Sequence, residues 1–336
     1  MQYREVGTTG VKMSEVGFGT GGNAGLMVKG SFDDQLRAFE CALENGINYV
    51  DTAPDYGSGV SETNIGKLLR ELRVRPVITT KVEVREANLG DIASHVEHSV
   101  EQSLERLGVD YVDFVQIHNG AVNEQPNIQG REYRVLWIQD FLGRTGALEG
   151  LERIRRAGKT RFIGFCCRGD DGDEVRQLID TGRFHIVNVI YNLMNPTAAV
   201  PRPLGLDVDT DFGQIIPYAY ERGVGCALYS PLAGGLLTDN IAGGGQPHPM
   251  AGASRWDQRQ RQVAQASTFR FLSKDGQSLA QAGLRFDLMQ PGVTTVLGGF
   301  SDAAQVKENA AASGAGALTP EELARIEMVW RASYPA

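Results

Sequence analysis

Four side chains stand where they could move a proton in a controlled way. Asp51 and Lys81 close the short apolar runs Asn48-Tyr49-Val50-Asp51 and Val77-Ile78-Thr79-Thr80-Lys81. His118 closes the run from Val112 to Ile117, and Tyr56 lies in the loop just past Asp51. A phenol titrates near pH 10 (about three units too weak for neutral acid catalysis). A neighbouring ammonium favours the phenolate, so Lys81 is expected to lower the Tyr56 pKa toward the working range. A partly buried ammonium needs a carboxylate partner, and Asp51 can supply it. His118 can donate a hydrogen bond to a carbonyl oxygen and stabilise alkoxide charge as it develops. Each residue alone has a plain structural reading as a helix cap, a solvated strand end, a loop anchor or a satisfied histidine. It is their convergence on one rim that makes a proton-transfer device.

Positioning them requires strands whose C-terminal ends meet. Runs at 48–51, 77–81, 112–118, 162–165, 186–191, 225–229 and 293–297 are short, rich in β-branched or aromatic residues and apolar on both faces. That is the pattern of a covered parallel sheet. With the weaker Val16-Gly17-Phe18-Gly19-Thr20 segment the count reaches eight, each followed by a helix or a long loop. Between them, Ser31 caps a helix carrying Leu36, Phe39 and Leu43 that Gly46 ends. Ile92, Val96, Val100, Leu104 and Leu107 form a helical stripe stopped by Gly108. Thr319-Pro320-Glu321-Glu322 is a capping box opening a final helix with Leu323, Ile326 and Trp330. Eight strand–helix units predict an α/β protein with a closed (β/α)₈ (TIM) barrel, the whole chain 1–336 forming one domain. Tyr3-Arg4-Glu5-Val6 and Val11-Lys12-Met13 around Gly7-Thr8-Thr9-Gly10 predict a hairpin across the barrel bottom. The Gly/Pro-rich stretch 242–249 falls where a mobile active-site loop is expected.

Composition narrows the class. The 336 residues are 42% hydrophobic and 22% charged, and 33 basic against 41 acidic residues give a formal net charge of -8. No basic run offsets that charge, so neither nucleic acid nor an anionic membrane is expected as a partner. No apolar run approaches the ~18 residues of a membrane span, and Met1-Gln2-Tyr3-Arg4-Glu5 lacks the features of a secretory signal. Cys41, Cys166, Cys167 and Cys226 have neither disulfide-framework nor zinc-like spacing, so reduced thiols in the cytoplasm are expected. His95 and His98 are read on the exposed side of a helix and His185 ahead of the sixth strand. No histidine–carboxylate cluster at strand ends is therefore expected, and no metal.

Gly17-Phe18-Gly19-Thr20-Gly21-Gly22 spells G-x-G-x-x-G, but no helix signal follows before Ser31 and a hairpin precedes the strand. It is read as a Gly-rich turn at a barrel mouth rather than a Rossmann fingerprint. By contrast, Asp51-Thr52-Ala53-Pro54-Asp55-Tyr56-Gly57 followed by Ser61-Glu62 resembles the D-x-A-x-x-Y-G signature of the aldo-keto reductase superfamily. Thr80-Lys81 and Ile117-His118-Asn119 match that family's lysine and histidine. Tyr229-Ser230-Pro231-Leu232-Ala233-Gly234 and Leu297-Gly298-Gly299-Phe300-Ser301, with Glu308-Asn309 beyond, resemble its two cofactor segments.

The resemblance implies that Asp51, Tyr56, Lys81 and His118 are a catalytic tetrad for reducing an aldehyde or ketone, or for the reverse oxidation. Tyr56 would be the proton donor, and NADP(H) the cofactor, with NAD(H) possible. Gly19, Thr20 and Asp51 would lie beside the nicotinamide half, and Tyr229 would stack on the ring. Ser230, Pro231, Leu232 and Gly234 would wrap the pyrophosphate, where glycine permits close approach. Gly298, Gly299, Phe300, Ser301, Gln305, Glu308 and Asn309 would hold the adenosine end. There are departures from the family's pattern. Cys166-Cys167 stands where the family often has Ser-Asn for the carboxamide, and it reads equally as a pair of buried core thiols. Asn188 replaces a glutamine, and Gly299, Phe300 and Gln305 stand where NADP-binding members carry lysine, serine and arginine. Fewer cations weaken the preference for a 2′-phosphate.

A second class is also implied: a nucleotide-binding barrel serving as a regulatory subunit, as potassium-channel β subunits of the superfamily do. The intact tetrad favours the enzyme, and the short arm before the hairpin offers no effector segment. The substrate is expected to be a small carbonyl or alcohol, with a sugar or an aromatic ring suggested by Trp137 and Phe141 in one long loop and Trp256 in another. Those aromatics could equally pin their loops. Oligomeric state is left open.

Overall fold

In the computed structural model, residues 1–124, 135–168, 172–250 and 256–334 are described. Strands β1 (Tyr3–Glu5) and β2 (Lys12–Ser14) form the expected antiparallel hairpin, with Tyr3 opposite Ser14. The following strands are β3 (Val16–Gly19), β4 (Tyr49–Asp51), β5 (Val77–Val82) and β6 (Val112–Ile117). A small parallel pair, β7 (Gly120–Val122) and β8 (Val135–Trp137), interrupts the series. Then come β9 (Thr160–Cys166), β10 (Ile186–Ile190), β11 (Gly225–Tyr229) and β12 (Val293–Gly299). Strands β3, β4, β5, β6, β9, β10, β11 and β12 pair in that order, all parallel, and β12 returns to β3 to close the barrel. The extra pair was not anticipated: it lies in the long loop after β6, where no periodic run marks it.

The helices end where the sequence places its stops. Ser31 accepts from the Asp34 amide to cap Phe32–Glu44, and Asp91 accepts from Ser94 to cap Ile92–Leu107. Gly108 ends the second helix at φ 68, a left-handed conformation that a side chain would strain. Its stripe of Ile92, Val96, Val100, Leu104 and Leu107 is buried against the barrel wall. Leu36 and Leu43 are only half-buried on the first helix, because its inward face is centred on Gln35, Ala38, Phe39 and Ala42.

Two cores result. One lies between strands and helices, and a smaller one fills the barrel itself with Val6, Val11, Met13, Tyr49, Phe114, Ile186, Ala227 and Leu297. Hairpin side chains therefore plug the bottom from below. Arg4 fastens the plug: its guanidinium donates to Glu15 at 2.8 Å and to the carbonyls of Val293 at 2.9 Å and Leu288 at 2.7 Å. Arg4→Ala removes three charge-assisted bonds and leaves the buried Glu15 with only Ser313. It is expected to lower unfolding free energy by about 2–3 kcal/mol. Denaturant unfolding measures this, and an unchanged midpoint would show that the plug is not fastened there.

Candidate active site

The register of parallel strands carries the site. Gly19 lies opposite Asp51, Asp51 opposite Thr79, and Lys81 opposite Gln116, so the polar residues collect at the C-terminal mouth. Lys81 is only 1% exposed and forms an ion pair with Asp51. Its ammonium also donates to the Thr52 carbonyl at 2.9 Å and stands 3.4 Å from the Tyr56 hydroxyl. Asp51 is braced on its other oxygen by Asn188 at 3.2 Å and Tyr49 at 3.3 Å. His118 meets the Tyr56 ring edge to face, with centroids 5.8 Å apart. The four sequence-selected residues thus converge, as their positions at strand ends require.

The electrostatics correct one expectation. Burial pushes the Tyr56 phenol above its ordinary pKa, and the Lys81 charge that pulls it down is opposed by Asp51. Lys81 does not bring the phenol below its usual range because its own charge is already balanced by the carboxylate. Tyr56 therefore keeps its proton at neutral pH, the form an acid catalyst needs. Burial alone would pull Lys81 down, but Asp51 and Tyr56 outweigh it and hold the ammonium above its ordinary range. Burial lowers His118 to about 4 against the opposing pull of Asp55, so the imidazole is neutral at neutral pH.

A second correction concerns His118. Its Nδ1 lies 3.5 Å from an Asp55 oxygen and 3.7 Å from a Glu83 oxygen, a histidine–carboxylate cluster that the sequence reading did not anticipate. Glu83 follows Lys81 by two residues and so shares its side of the strand, a signal present in the sequence. Asp55 precedes Tyr56 directly, but only the fold of its loop turns it toward His118. Arg85 bonds Asp55 at 3.0 Å, and Arg168 approaches Glu83 at 3.9 Å. With Lys81 also nearby, protein cations already balance the carboxylates, and we assign no metal to the cluster.

The segments implied to hold a dinucleotide lie around the same mouth. The Tyr229 hydroxyl donates to the Cys167 carbonyl, pinning the ring at the ends of β9 and β11. Beyond it, Ser230 (φ 54), Ala233 (φ 48), Gly234 (φ 68) and Gly235 (φ 92) hold left-handed conformations. The turn is closed internally by Ala233 donating to Ser230 and Gly235 to Leu232, and open space at Gly234 and Gly235 leaves their backbone accessible. Gly19 and Thr20 end β3, and the Thr20 hydroxyl donates to the Asp51 carbonyl at 3.0 Å. Ser301 donates its hydroxyl to Ala24 at 2.7 Å, and its amide donates to the Gln305 side chain at 2.9 Å. Asn309 is buried, and Glu308 is half-buried with its carbonyl accepting from Gln281. The stretch 242–249 is followed by Met250, whose carbonyl accepts from Lys29, so this segment reaches the loop after β3. The open glycine backbone at Gly234 and Gly235 permits the close approach that a dinucleotide needs.

Some implied roles are not those the side chains occupy. Phe300 is 2% exposed and packs on Phe18 at 5.1 Å, so its ring belongs to the core rather than to a phosphate-facing surface. At Gly298 a Cβ would lie 2.4 Å from that ring, which explains the glycine. The Asn188 amide is used at both ends, donating to Asp51 and accepting from Gln116 at 2.7 Å. It braces Asp51, a task for which the shorter amide suffices. Cys166 and Cys167 are buried, which favours their reading as core thiols. His95 is half-buried, and its ring bonds the Glu83 carbonyl at 3.0 Å, contrary to its expected exposure. Phe141 is fully buried and Trp137 donates to Asn123 at 2.9 Å, so both pin their loop; the Trp256 side chain lies outside the described residues.

The sequence profile of the Aldo/keto reductase family matches residues 15–331. The chain is similar to L-galactose dehydrogenase of Arabidopsis thaliana, 29% identical over 315 residues covering 93% of this chain and 88% of that protein. It is also similar to the NADH-specific methylglyoxal reductase of Escherichia coli K12, 26% identical over 338 residues covering 93% of each. Among solved structures, the holo form of an aldo-keto reductase from Bacillus halodurans superposes with a TM-score of 0.70. At 24% identity, over 100% of this chain and 98% of that one, the likeness bears on fold alone.

Proposed function

We propose that this chain, which belongs to the aldo/keto reductase family of NAD(P)(H)-dependent oxidoreductases, reduces a small aldehyde or ketone to an alcohol, or runs the reverse oxidation, with Tyr56 moving the proton. The observation that carries this reading is the buried Lys81–Asp51 pair with the Tyr56 hydroxyl 3.4 Å from the ammonium. When bound, the nicotinamide supplies the hydride. Tyr56, protonated at neutral pH, gives its proton to the carbonyl oxygen as negative charge builds there. The phenolate left behind is stabilised by Lys81, which Asp51 and the Thr52 carbonyl hold in place. His118 orients the same oxygen from a second direction.

For the dinucleotide we assign Gly19, Thr20, Tyr229, Ser230, Pro231, Leu232 and Gly234 along the β3 and β11 loops, and Gly298, Gly299, Ser301, Gln305, Glu308 and Asn309 at the adenosine end. Residues 1–336 act as one domain in this reading. The cysteine spacing supports a cytoplasmic setting with reduced thiols. Among the described residues no helix is long and apolar enough to cross a membrane.

Cofactor choice follows from charge. Gln305 offers a 2′-phosphate no cation, so NADPH and NADH should bind with similar affinity; one relative is an NADH-specific reductase. Gln305→Arg is expected to tighten NADPH and leave NADH nearly unchanged, with a gain that shrinks as salt is added. The new arginine gives up the Ser301 amide bond, an effect common to both cofactors. Parallel nicotinamide-fluorescence titrations of both proteins test this. An equal change for both cofactors would show that Gln305 does not face the ribose. The same titrations, with turnover on a panel of aldehydes and ketones, test the function: tight binding without turnover would point to the regulatory-subunit reading.

A further inference from the structure

We propose that Glu62 is a positioning residue: it clamps the loop that carries Tyr56 to the strand that carries Lys81, and so sets the separation across which the two act. The proposal rests on the proton transfer assigned above and adds to it the group that holds its geometry. Ser61-Glu62 closes the stretch that resembles the family signature, yet the proton transfer uses neither residue. Both are fully buried in the first turn of the Val60–Leu72 helix. Tyr56 is joined to that helix by Gly57 (φ 66), Ser58 (φ 53) and Gly59 (φ 89), three successive left-handed residues. Two of them are glycines, whose backbone alone fixes a direction poorly, and the serine holds such a conformation only where its surroundings impose it.

The surroundings grip this turn from two sides. Ser61 serves the ends of β3 and β4: its hydroxyl donates to the Thr20 hydroxyl at 2.8 Å and lies 3.1 Å from that of Thr52. Glu62 reaches the other way. One carboxylate oxygen accepts from the Thr80 hydroxyl and the other from the Arg106 guanidinium at 2.6 Å. Thr80 directly precedes Lys81 on β5, on the opposite face of the strand, and its place opposite Val115 fixes it in the barrel wall. The Ser61 amide in turn donates to the Tyr56 carbonyl at 3.2 Å. The path from Tyr56 to Lys81 thus runs through Ser61, Glu62 and Thr80, with one backbone bond and one side-chain bond as its non-covalent links.

A carboxylate without solvent needs a counter-charge, and Arg106 supplies it. Arg106 is half-buried and donates also to Ser103 at 3.1 Å. It packs against Gly59 as well, where a Cβ would lie 2.8 Å from its side chain. The same arginine therefore supports the clamp and the last residue of the left-handed connection. The separation at stake is small. The Lys81 ammonium stands 3.4 Å from the Tyr56 hydroxyl, so a loop displaced by about an ångström would lose that contact. Both bonds of Glu62 lead away from the loops after β3, β11 and β12, so dinucleotide affinity should not follow it.

Two readouts test the proposal. In Glu62→Ala and in Thr80→Val, kcat for carbonyl reduction should fall by about ten- to 10²-fold while dinucleotide affinity holds. The double variant should fall no further than the slower single one, because both substitutions break the same bond. Glu62→Gln keeps an oxygen for Thr80 and gives up Arg106, so it should retain most of its turnover and melt earlier. Arg4→Ala, which loosens the barrel bottom, is the control: lower stability with wild-type kcat. The second readout needs no turnover. In cofactor-free protein carrying 3-fluorotyrosine, the Tyr56 fluorine signal is identified among ten tyrosines by its loss in Tyr56→Phe. It should move in Glu62→Ala and Thr80→Val and stay in place in Arg4→Ala. An unmoved signal in the first two, losses of kcat that multiply in the double variant, or a Glu62→Gln as slow as Glu62→Ala would overturn the proposal. A signal that moves in a protein that turns over no carbonyl would sink the assigned reaction and leave the clamp standing. If Glu62→Ala does not fold, Thr80→Val decides through the same signal and kcat.

Discussion

Tyr56→Phe is expected to lower kcat/KM for carbonyl reduction by ~10²- to 10⁴-fold while cofactor affinity changes little. The substitution removes a hydroxyl and keeps the ring, which packs edge to face on His118 and sits under the Lys81 ammonium at 5.1 Å. Lys81 retains Asp51 and the Thr52 carbonyl, so the ion pair survives the change. What is lost is the proton that neutralises the forming alkoxide. Steady-state kinetics alongside fluorescence titration separate the two effects. A variant with wild-type turnover would remove Tyr56 from the chemistry.

Lys81→Met should be as damaging to turnover and more damaging to the fold. It removes the cation that stabilises the phenolate left on Tyr56 and leaves Asp51, which is 3% exposed, with only neutral donors. Breaking one side of a buried pair costs about 3–5 kcal/mol. The variant should therefore melt at a lower temperature as well as lose activity. To separate the two losses, the Asp51→Asn, Lys81→Met double variant should regain part of the stability and none of the turnover. Recovery of both would mean that Lys81 acts through folding alone. If Lys81→Met kept both its activity and its pH profile, Lys81 would be a bystander.

The barrel was legible because each strand announces itself as a short run apolar on both faces, and because glycine, serine and threonine mark the helix ends. Three of the four candidate site residues, Asp51, Lys81 and His118, were legible for the same reason: a charged or hydrogen-bonding residue closing an apolar strand points to the mouth, and Tyr56 was picked out by its place in the loop just past Asp51. What the sequence could not weigh was competition within the site. Lys81 was expected to acidify Tyr56, yet burial of the phenol and neutralisation by Asp51 reverse the net effect, and both depend on three-dimensional packing. Phe300 was aligned with a phosphate-facing position, but the turn after β12 carries its ring into the Phe18 cluster. Asp55 and Glu83 lie 28 positions apart, and nothing local says that the loop after β4 folds back on the end of β5. Glu83 alone left a trace, through its two-residue spacing from Lys81.

The central claim is that a buried tyrosine–lysine–aspartate set at a closed barrel mouth drives proton-coupled reduction of a carbonyl. It is tested most directly by consumption of NADPH and NADH by the purified protein in the presence of a panel of small aldehydes and ketones, wild type beside Tyr56→Phe. The account predicts aldehyde- or ketone-dependent consumption by the wild type with at least one cofactor, and its near-complete loss in the variant despite unchanged cofactor binding. Equal consumption by both proteins, or tight binding by both with turnover of no carbonyl, would contradict it.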